Sequence, residues 1–118
     1  MDVRSLSATE AFVTADGSTI RELCGLPTGG TRNQSLAEAT LAPGQATERH
    51  YHGEAEEIYF VLEGEGELEL DGKTATLRPG DAVPIPPGTW HQLRAGDATL
   101  RILCSCAPPY RHEDTHFA

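Results

Sequence analysis

Short runs of alternating polar and apolar residues fill most of this chain, and Gly, Pro and Asp separate the runs. The run 65–70, EGELEL, alternates acidic side chains with glycine or leucine, which is the period-two pattern of a strand with one solvated face. Asp71 and Gly72 follow at the spacing of a two-residue hairpin turn, which leads back through 74–77. No segment sustains a helical apolar period long enough to form a core helix. The pattern predicts an all-β fold.

Other runs predict strands at 18–23, 35–41, 57–62, 91–95 and 100–106. The run 57–62 is unusual because both of its faces are mostly apolar. Since a strand in one small barrel buries only its inner face, the outer set Ile58, Phe60 and Leu62 needs another sheet, the N-terminal segment or a neighbouring subunit to cover it. We therefore expect a homodimer.

The 118 residues fit one domain with a single core. Nine Lys and Arg against eighteen Asp and Glu give a net charge of -9, which repels nucleic-acid phosphates and anionic lipid. The N-terminus lacks the pattern of a signal peptide, and no apolar run approaches the ~20 residues of a membrane span. The three cysteines are an odd number, which is more typical of reduced thiols than of a disulfide framework. We expect a cytoplasmic protein with a small-molecule partner, and neither nucleic acid nor membrane.

A possible metal site begins at His50 and His52. In a strand, residues two apart point to the same face, roughly 6 to 7 Å apart along the chain. The connection 53–56 is long enough for a hairpin that returns Glu57 alongside the histidines. Each of these residues alone would more often be a surface group, but their joint spacing favours convergence on one ion.

His91 is the fourth candidate ligand. It follows the proline-rich stretch 84–87, which can form a sheet edge or a rigid loop but not a central strand. The prolines would therefore hold His91 stiffly at the start of its strand.

These residues carry a family resemblance. The run Gly44, five residues, His50-Tyr51-His52, four residues, Glu57, six residues, Gly64 resembles the first cupin motif. The run Gly80, five residues, Pro86-Pro87-Gly88, two residues, His91 resembles the second. The chain has Ala95 where the family often has Asn, a position that is not a metal ligand in the resemblance, so this departure bears on substrate or strand packing.

The resemblance implies a double-stranded β-helix, or jelly-roll barrel, with one divalent transition metal held by His50, His52, Glu57 and His91. It divides the single domain into N-terminal strands and loop at 1–34, a barrel at 35–107 and a tail at 108–118. If the ion takes six ligands, about two positions stay open for water or substrate. Imidazole and carboxylate ligation suits Fe, Mn, Ni, Cu or Zn, and the sequence does not choose among them.

Three further residues are candidates for the substrate pocket. Tyr59 shares the strand face of Glu57 and would offer a hydroxyl, unless it is an ordinary core tyrosine. Leu93 shares the face of His91. Glu48 shares the face of His50, and its carboxylate would either hydrogen-bond to a metal-ligating side chain or remain solvated.

The thiols and the tail histidines each have two interpretations. Cys104 and Cys106 share one strand face, and burial as small side chains is favoured over the alternative of thiols lining the metal cavity. His112 and His116 lie in a polar tail that we expect over the outside of the barrel. We favour solvated histidines there over a second metal site.

Two functional classes fit this pattern. The first is a metal-dependent enzyme acting on a small oxygen-bearing molecule, either a dioxygenase, which needs a redox-active metal, or an isomerase, which can use Zn. The second is a non-catalytic module that binds a small sugar or carboxylate. We favour the enzyme, because an open coordination sphere inside an apolar pocket is costly to keep without use.

Overall fold

The computed structural model describes residues 1–118 and consists almost entirely of antiparallel strands. The strands are β1 (Phe12–Val13), β2 (Thr19–Cys24), β3 (Ser35–Leu41), β4 (His50–His52), β5 (Glu56–Glu63), β6 (Gly66–Leu70), β7 (Lys73–Leu77), β8 (Ala82–Ile85), β9 (His91–Ala95), β10 (Leu100–Ala107) and β11 (Thr115–Phe117). Two short 3-10 turns, Leu6–Ala8 and His112–Asp114, are the only helical segments. None of these has the length or hydropathy of a membrane-spanning helix.

The strands form two sheets, one with the order β1-β2-β3-β10-β5-β8 and the other with the order β11-β4-β9-β6-β7. The all-β, jelly-roll prediction is confirmed. As the prolines require, β8 lies at an edge, where Pro84 costs no hydrogen bond between neighbouring strands. Asp71 and Gly72 both have positive φ, 46° and 87°, which is the type I′ geometry of the predicted hairpin between β6 and β7.

Apolar side chains from both sheets fill the space between them, and the same strands carry the candidate ligands at one end. On β5 the buried positions run Glu57, Tyr59, Val61, and on β9 they run His91, Leu93, Ala95. Tyr59, Val61, Leu93 and Ala95, the remaining four members of these two rows, belong to one core cluster. The core is therefore continuous with the polar site and forms its floor.

The glycine that ends the first motif has a steric reason. Gly64 has a φ of 80°, and a Cβ at this position would collide with the backbone carbonyl of Thr99. Only glycine adopts this conformation without strain while allowing that close approach. It fixes the turn that separates β5 from β6.

The C-terminal tail differs from the expectation of a loose covering segment. β11 adds to the edge of β4, with Thr115 opposite His52 and Phe117 opposite His50. Just before it, the buried Asp114 carboxylate accepts hydrogen bonds from the backbone N–H groups of Glu54 and Ala55, at 2.8 and 3.0 Å. A three-residue strand is too short to show a period in the sequence, and Asp114 finds its partners about sixty residues away.

Candidate metal centre

Three histidine rings meet between the sheets at one end of the core. His50 and His52 come from β4 and His91 from β9, and strand pairing places His50 directly opposite His91. All three side chains are buried, and their candidate ligand atoms lie within 4.8 Å of one another. The convergence predicted from the spacing is present.

Backbone carbonyls set the proton positions of two of these rings. Nδ1 of His50 lies 2.7 Å from the carbonyl oxygen of Glu48, and Nδ1 of His91 lies 2.9 Å from that of Thr89. Because a carbonyl oxygen only accepts, each Nδ1 carries the hydrogen and donates it. The Nε2 lone pairs of His50 and His91 are thus left free as potential metal ligands.

A hydroxyl group sets the proton position of the third ring, that of His52. Nδ1 of His52 lies 3.2 Å from Oγ1 of Thr115, and that hydroxyl donates its hydrogen to the carbonyl oxygen of Arg111, also at 3.2 Å. With its only hydrogen engaged, Thr115 accepts from His52 Nδ1–H. This orients the third Nε2 in the same way, through a residue of the tail.

Glu57 lies against two of the three rings, while the group whose candidate ligand atoms all lie within 4.8 Å of one another contains the histidines alone. Its Oε1 atom lies 3.3 Å from Nε2 of His52 and 3.4 Å from Nε2 of His91, yet Oε1 and the His91 Nε2 have no hydrogen-bond partner. Both atoms are fully buried. Buried acceptors that face one another without a donor are costly and rare, and a cation among them satisfies them all. The residues present therefore fit a divalent ion.

The local charges favour the ligand forms of these groups. Burial alone would raise the pKa of Glu57, but the neighbouring His52 and His91 lower it to about 2, so the carboxylate is ionised. Burial and the nearby His91 lower the pKa of His50, which keeps that ring neutral. Burial also opposes the charged form of His52, but Glu57 outweighs it and raises the pKa of His52. Without an ion, a proton on His52 would balance the carboxylate.

The second oxygen of Glu57 is held by a thiol. Sγ of Cys106 lies 3.3 Å from Oε2 of Glu57. Burial, followed by the charge of Glu57, raises the pKa of Cys106 far above its usual value, so the thiol stays protonated and donates to the carboxylate. This contact leaves Oε1 facing the histidines.

A cavity of about 60 Å³ adjoins Glu57. Its walls come mainly from three neighbouring strands of the larger sheet: Ile20 and Glu22 of β2, Ser35 and Ala37 of β3, and Cys104 and Cys106 of β10. The thiols are thus both small, at least half-buried side chains and cavity-lining groups, so the two interpretations of Cys104 and Cys106 coexist.

The other candidate pocket residues lie in different places. Tyr59 is buried next to His91, with 6.0 Å between ring centroids, and burial followed by the charge of Glu57 raises its pKa well above 10. Tyr59 and Leu93 both belong to the core cluster, and neither lines the cavity. The Glu48 side chain is exposed, and the residue reaches the site only through its carbonyl oxygen.

Four residues at the site or its cavity were not identified from the sequence: Asp114, Thr115, Tyr110 and Glu22. Thr115 holds His52, and Tyr110 lines the cavity. Neither belongs to a spaced motif. The tail histidines do not join the site, because His112 and His116 are exposed, and the ring of His116 stacks on Tyr51 with 4.8 Å between centroids.

The fold and the histidine cluster together define a double-stranded β-helix with a candidate metal centre in one end of its barrel. Residues 37–106 match the family model described as Cupin domain. The chain belongs to this cupin family.

Relatives and solved structures show the same likeness. An uncharacterised protein of Methanocaldococcus jannaschii is 45% identical over 105 residues, 88% of this chain and 84% of that protein. L-ectoine synthase of Bordetella parapertussis is 35% identical over 86 residues, which span 71% of this chain but only 65% of the synthase. A structure from Planctomyces limnophilus has a TM-score of 0.82 at 31% identity, covering 99% of this chain and 96% of that one. The Streptomyces nucleoside dehydratase Pac13 has a TM-score of 0.82 at 14% identity, covering 100% and 91%, which shows the fold alone.

Proposed function

We propose that this protein is a metal-dependent enzyme that acts on a small oxygen-bearing molecule. One observation carries the proposal: the candidate ligand atoms of three histidines lie within 4.8 Å of one another, and Oε1 of Glu57 lies 3.3 and 3.4 Å from Nε2 of His52 and His91. Two of these buried atoms, Glu57 Oε1 and His91 Nε2, have no partner in the protein. The polar atoms are arranged for a cation rather than for one another.

His50, His52, Glu57 and His91 would hold one divalent transition metal, drawn from Fe, Mn, Ni, Cu and Zn. Such an ion supplies Lewis acidity toward a substrate oxygen and, if it is redox-active, access to dioxygen chemistry. Three neutral imidazoles and one carboxylate leave a net charge near +1 at the site.

The chain's own residues prepare the site for a bound molecule. The thiol of Cys106 fixes the second oxygen of Glu57, so that carboxylate stays oriented. The Tyr59 phenol keeps its proton and makes no hydrogen bond within the protein, which leaves its O–H free to donate to a substrate oxygen. Glu57 and Cys106 line the mostly apolar cavity, which limits the access of water to the carboxylate.

The reaction we favour is dioxygenase-like. A second candidate is a non-redox rearrangement, such as a sugar isomerisation. Two of the similar proteins support it, since one structural neighbour is a nucleoside dehydratase and one relative is L-ectoine synthase. A non-catalytic module that binds a small sugar or carboxylate is the remaining alternative.

Metal analysis of the purified protein and of three histidine variants tests the ligand set. We expect about one ion per chain, lost in His52→Ala and His91→Ala together with the stability that the bound ion provides. His116→Ala is the matched control, because that ring is exposed and outside the site. Unchanged metal content in the two ligand variants would contradict the assignment.

Oxygen uptake separates the reactions. With Fe(II) and a panel of diketones, catechols and thiols, a dioxygenase consumes oxygen, and His50→Ala abolishes the consumption. Turnover of a sugar or nucleoside without oxygen uptake would favour the non-redox reaction. A bound, redox-inert ion with no turnover of any compound would favour the binding module.

The proposal includes a homodimer formed through the outer face of β5. Ile58 and Phe60 are 44% and 39% exposed there, and Leu103 of β10 lies opposite Phe60 in the same sheet. An apolar row of this kind is typical of a surface that a partner covers. The net charge of -9 and the three free cysteines support a cytoplasmic protein whose partner is a small molecule rather than nucleic acid or membrane.

A further inference from the structure

Glu22 is a carboxylate in a position that the strand pattern reserves for apolar residues. On β2, Ile20 and Glu22 face inward and line the cavity, and the intervening Arg21 belongs to the opposite face. Glu22 is only 6% exposed. A carboxylate buried to this extent is costly unless an opposite charge or several hydrogen bonds compensate it.

The protein provides little compensation. Glu22 accepts one side-chain hydrogen bond, from the hydroxyl of Thr28 at 2.8 Å, and it takes part in no ion pair. Arg4 lies against the same loop, but its Nη1 atom donates to the carbonyl oxygens of Leu23, Thr28 and Gly29, and its other nitrogens contact Asp2. No cationic side chain of the protein forms an ion pair with Glu22.

The rest of the cavity is equally poor in positive charge. No Lys, Arg or His side chain lines it, and its charged members are the carboxylates Glu22 and Glu57. Thr14, another lining residue, donates at 2.6 Å to a third carboxylate, Asp16. With a net charge of -9 on the whole chain, the field in this cavity attracts cations and repels small anions.

Strand register relates Glu22 to the metal centre. Glu22 lies opposite Ala37, Ala37 opposite Cys104, and the next inward residue of β10, Cys106, lies opposite Glu57. The two carboxylates are thus three strand spacings apart, about 14 Å along the sheet between backbones. Both residues line one cavity, which has room for roughly four to six water-sized groups.

We propose that Glu22 determines substrate specificity by binding the ammonium group of a small amine whose oxygen-bearing end faces Glu57. The inference rests on the proposed function only for the oxygen-bearing end of the amine, which would face the metal centre at Glu57. The cavity would orient a molecule with this polarity, since the metal centre is positive once loaded and the opposite end carries the Glu22 carboxyl group.

Ethanolamine, ethylene glycol and glycolate test this assignment, because they share a hydroxymethyl end and differ in the charge of the other end. Each is titrated into the zinc-loaded protein, and binding is followed by the backbone amide NMR signals of β2, β3 and β10. The variants are Glu22→Gln, Glu22→Asp and, as the matched control, Glu67→Gln, which removes the same charge from an exposed position on β6.

The expected result is a crossed response, in which loss of the Glu22 carboxylate weakens binding of the amine and strengthens binding of the acid. Glu22→Gln weakens ethanolamine about ten-fold, changes ethylene glycol by less than about two-fold, and strengthens glycolate. Glu22→Asp keeps the preference for ethanolamine, and Glu67→Gln behaves as the unmodified chain. Opposite changes for the amine and the acid cannot come from general damage to the fold.

Three results would overturn the inference: equal ethanolamine binding with and without the Glu22 carboxylate, ethylene glycol binding as tightly as ethanolamine, or no shift of cavity amides with any probe. Metal content is measured on the same samples. If the chain takes up no zinc, the proposed function fails, while the crossed response is still read in the metal-free protein.

Discussion

Replacing Asp114 with Asn should loosen both the fold and the metal centre. Asp114 is 7% exposed, and its two oxygens accept the backbone N–H groups of Glu54 and Ala55, two residues ahead of Glu57. The next residue, Thr115, orients His52. One side chain of the tail therefore supports the loop that delivers the carboxylate ligand and the strand that orients a histidine.

The size of the effect follows from the two hydrogen bonds. Asn keeps one acceptor oxygen and turns an NH₂ group toward the other N–H, so one bond to a charged acceptor is lost and a buried donor is left unpaired. Such a loss costs about 2 kcal/mol, which lowers the melting temperature of a chain of this size by roughly 8 °C. Misplacing residues behind the ligands typically lowers metal affinity by about ten-fold or more.

Denaturant unfolding of the metal-free protein measures the first effect, and zinc titration of the folded protein measures the second. Glu113→Gln is the control, because Glu113 is exposed in the same 3-10 turn and makes no side-chain hydrogen bond. If Asp114→Asn and Glu113→Gln unfold at the same denaturant concentration and bind zinc equally, the tail does not support the site and the reasoning is wrong.

Three other outcomes are expected. Thr115→Val should lower zinc affinity about ten-fold with little loss of stability, because His52 Nδ1 loses its acceptor, and Thr115→Ser should restore it in the same titration. Exchanging Ile58 and Phe60 for Lys and Thr should convert a dimer into a monomer by light scattering, and a monomeric unmodified chain at micromolar concentration would contradict the proposed interface. Burial raises the pKa of Asp114, but the two N–H donors outweigh it and the pKa is lowered, so the stabilising contribution of Asp114 is present above its usual value of 3.8 and lost as the pH falls below it. The difference in unfolding free energy between the unmodified chain and Asp114→Asn should therefore shrink in acid.

The strands and the pairing of His50 with His52 were predictable from the sequence because both depend on short-range spacing, whereas His91 was joined to them through the family resemblance. Two-residue alternation placed His50 and His52 on one face, and the same rule placed Ile58 and Phe60 on the outside of β5. The Asp71 turn followed from local backbone preference. In each case the information lies within a few residues of the feature.

The groups behind the ligands were not predictable because they depend on contacts between distant segments. Thr115 meets His52 across sixty-three positions, and Cys106 meets Glu57 across forty-nine. Glu22 belongs to a strand that was predicted, but its position in the cavity wall could not be, because β3 and β10 form the rest of that wall. Whether a segment forms a strand depends mainly on its own residues, whereas the order of strands in a sheet depends on the whole chain.

Glu57 contacts both the candidate metal centre and the cavity that contains the proposed amine site. Its Oε1 atom faces the histidines of the smaller sheet, while Oε2 contacts Cys106, which lines the cavity within the larger one. A cation bound at Oε1 draws charge from the carboxylate and so weakens the negative field that Glu57 exerts on the cavity. Glu22, three strands away, would not contact that cation. Metal loading should therefore sharpen the cavity's preference for a molecule that is positive at one end only, over one that is positive at both.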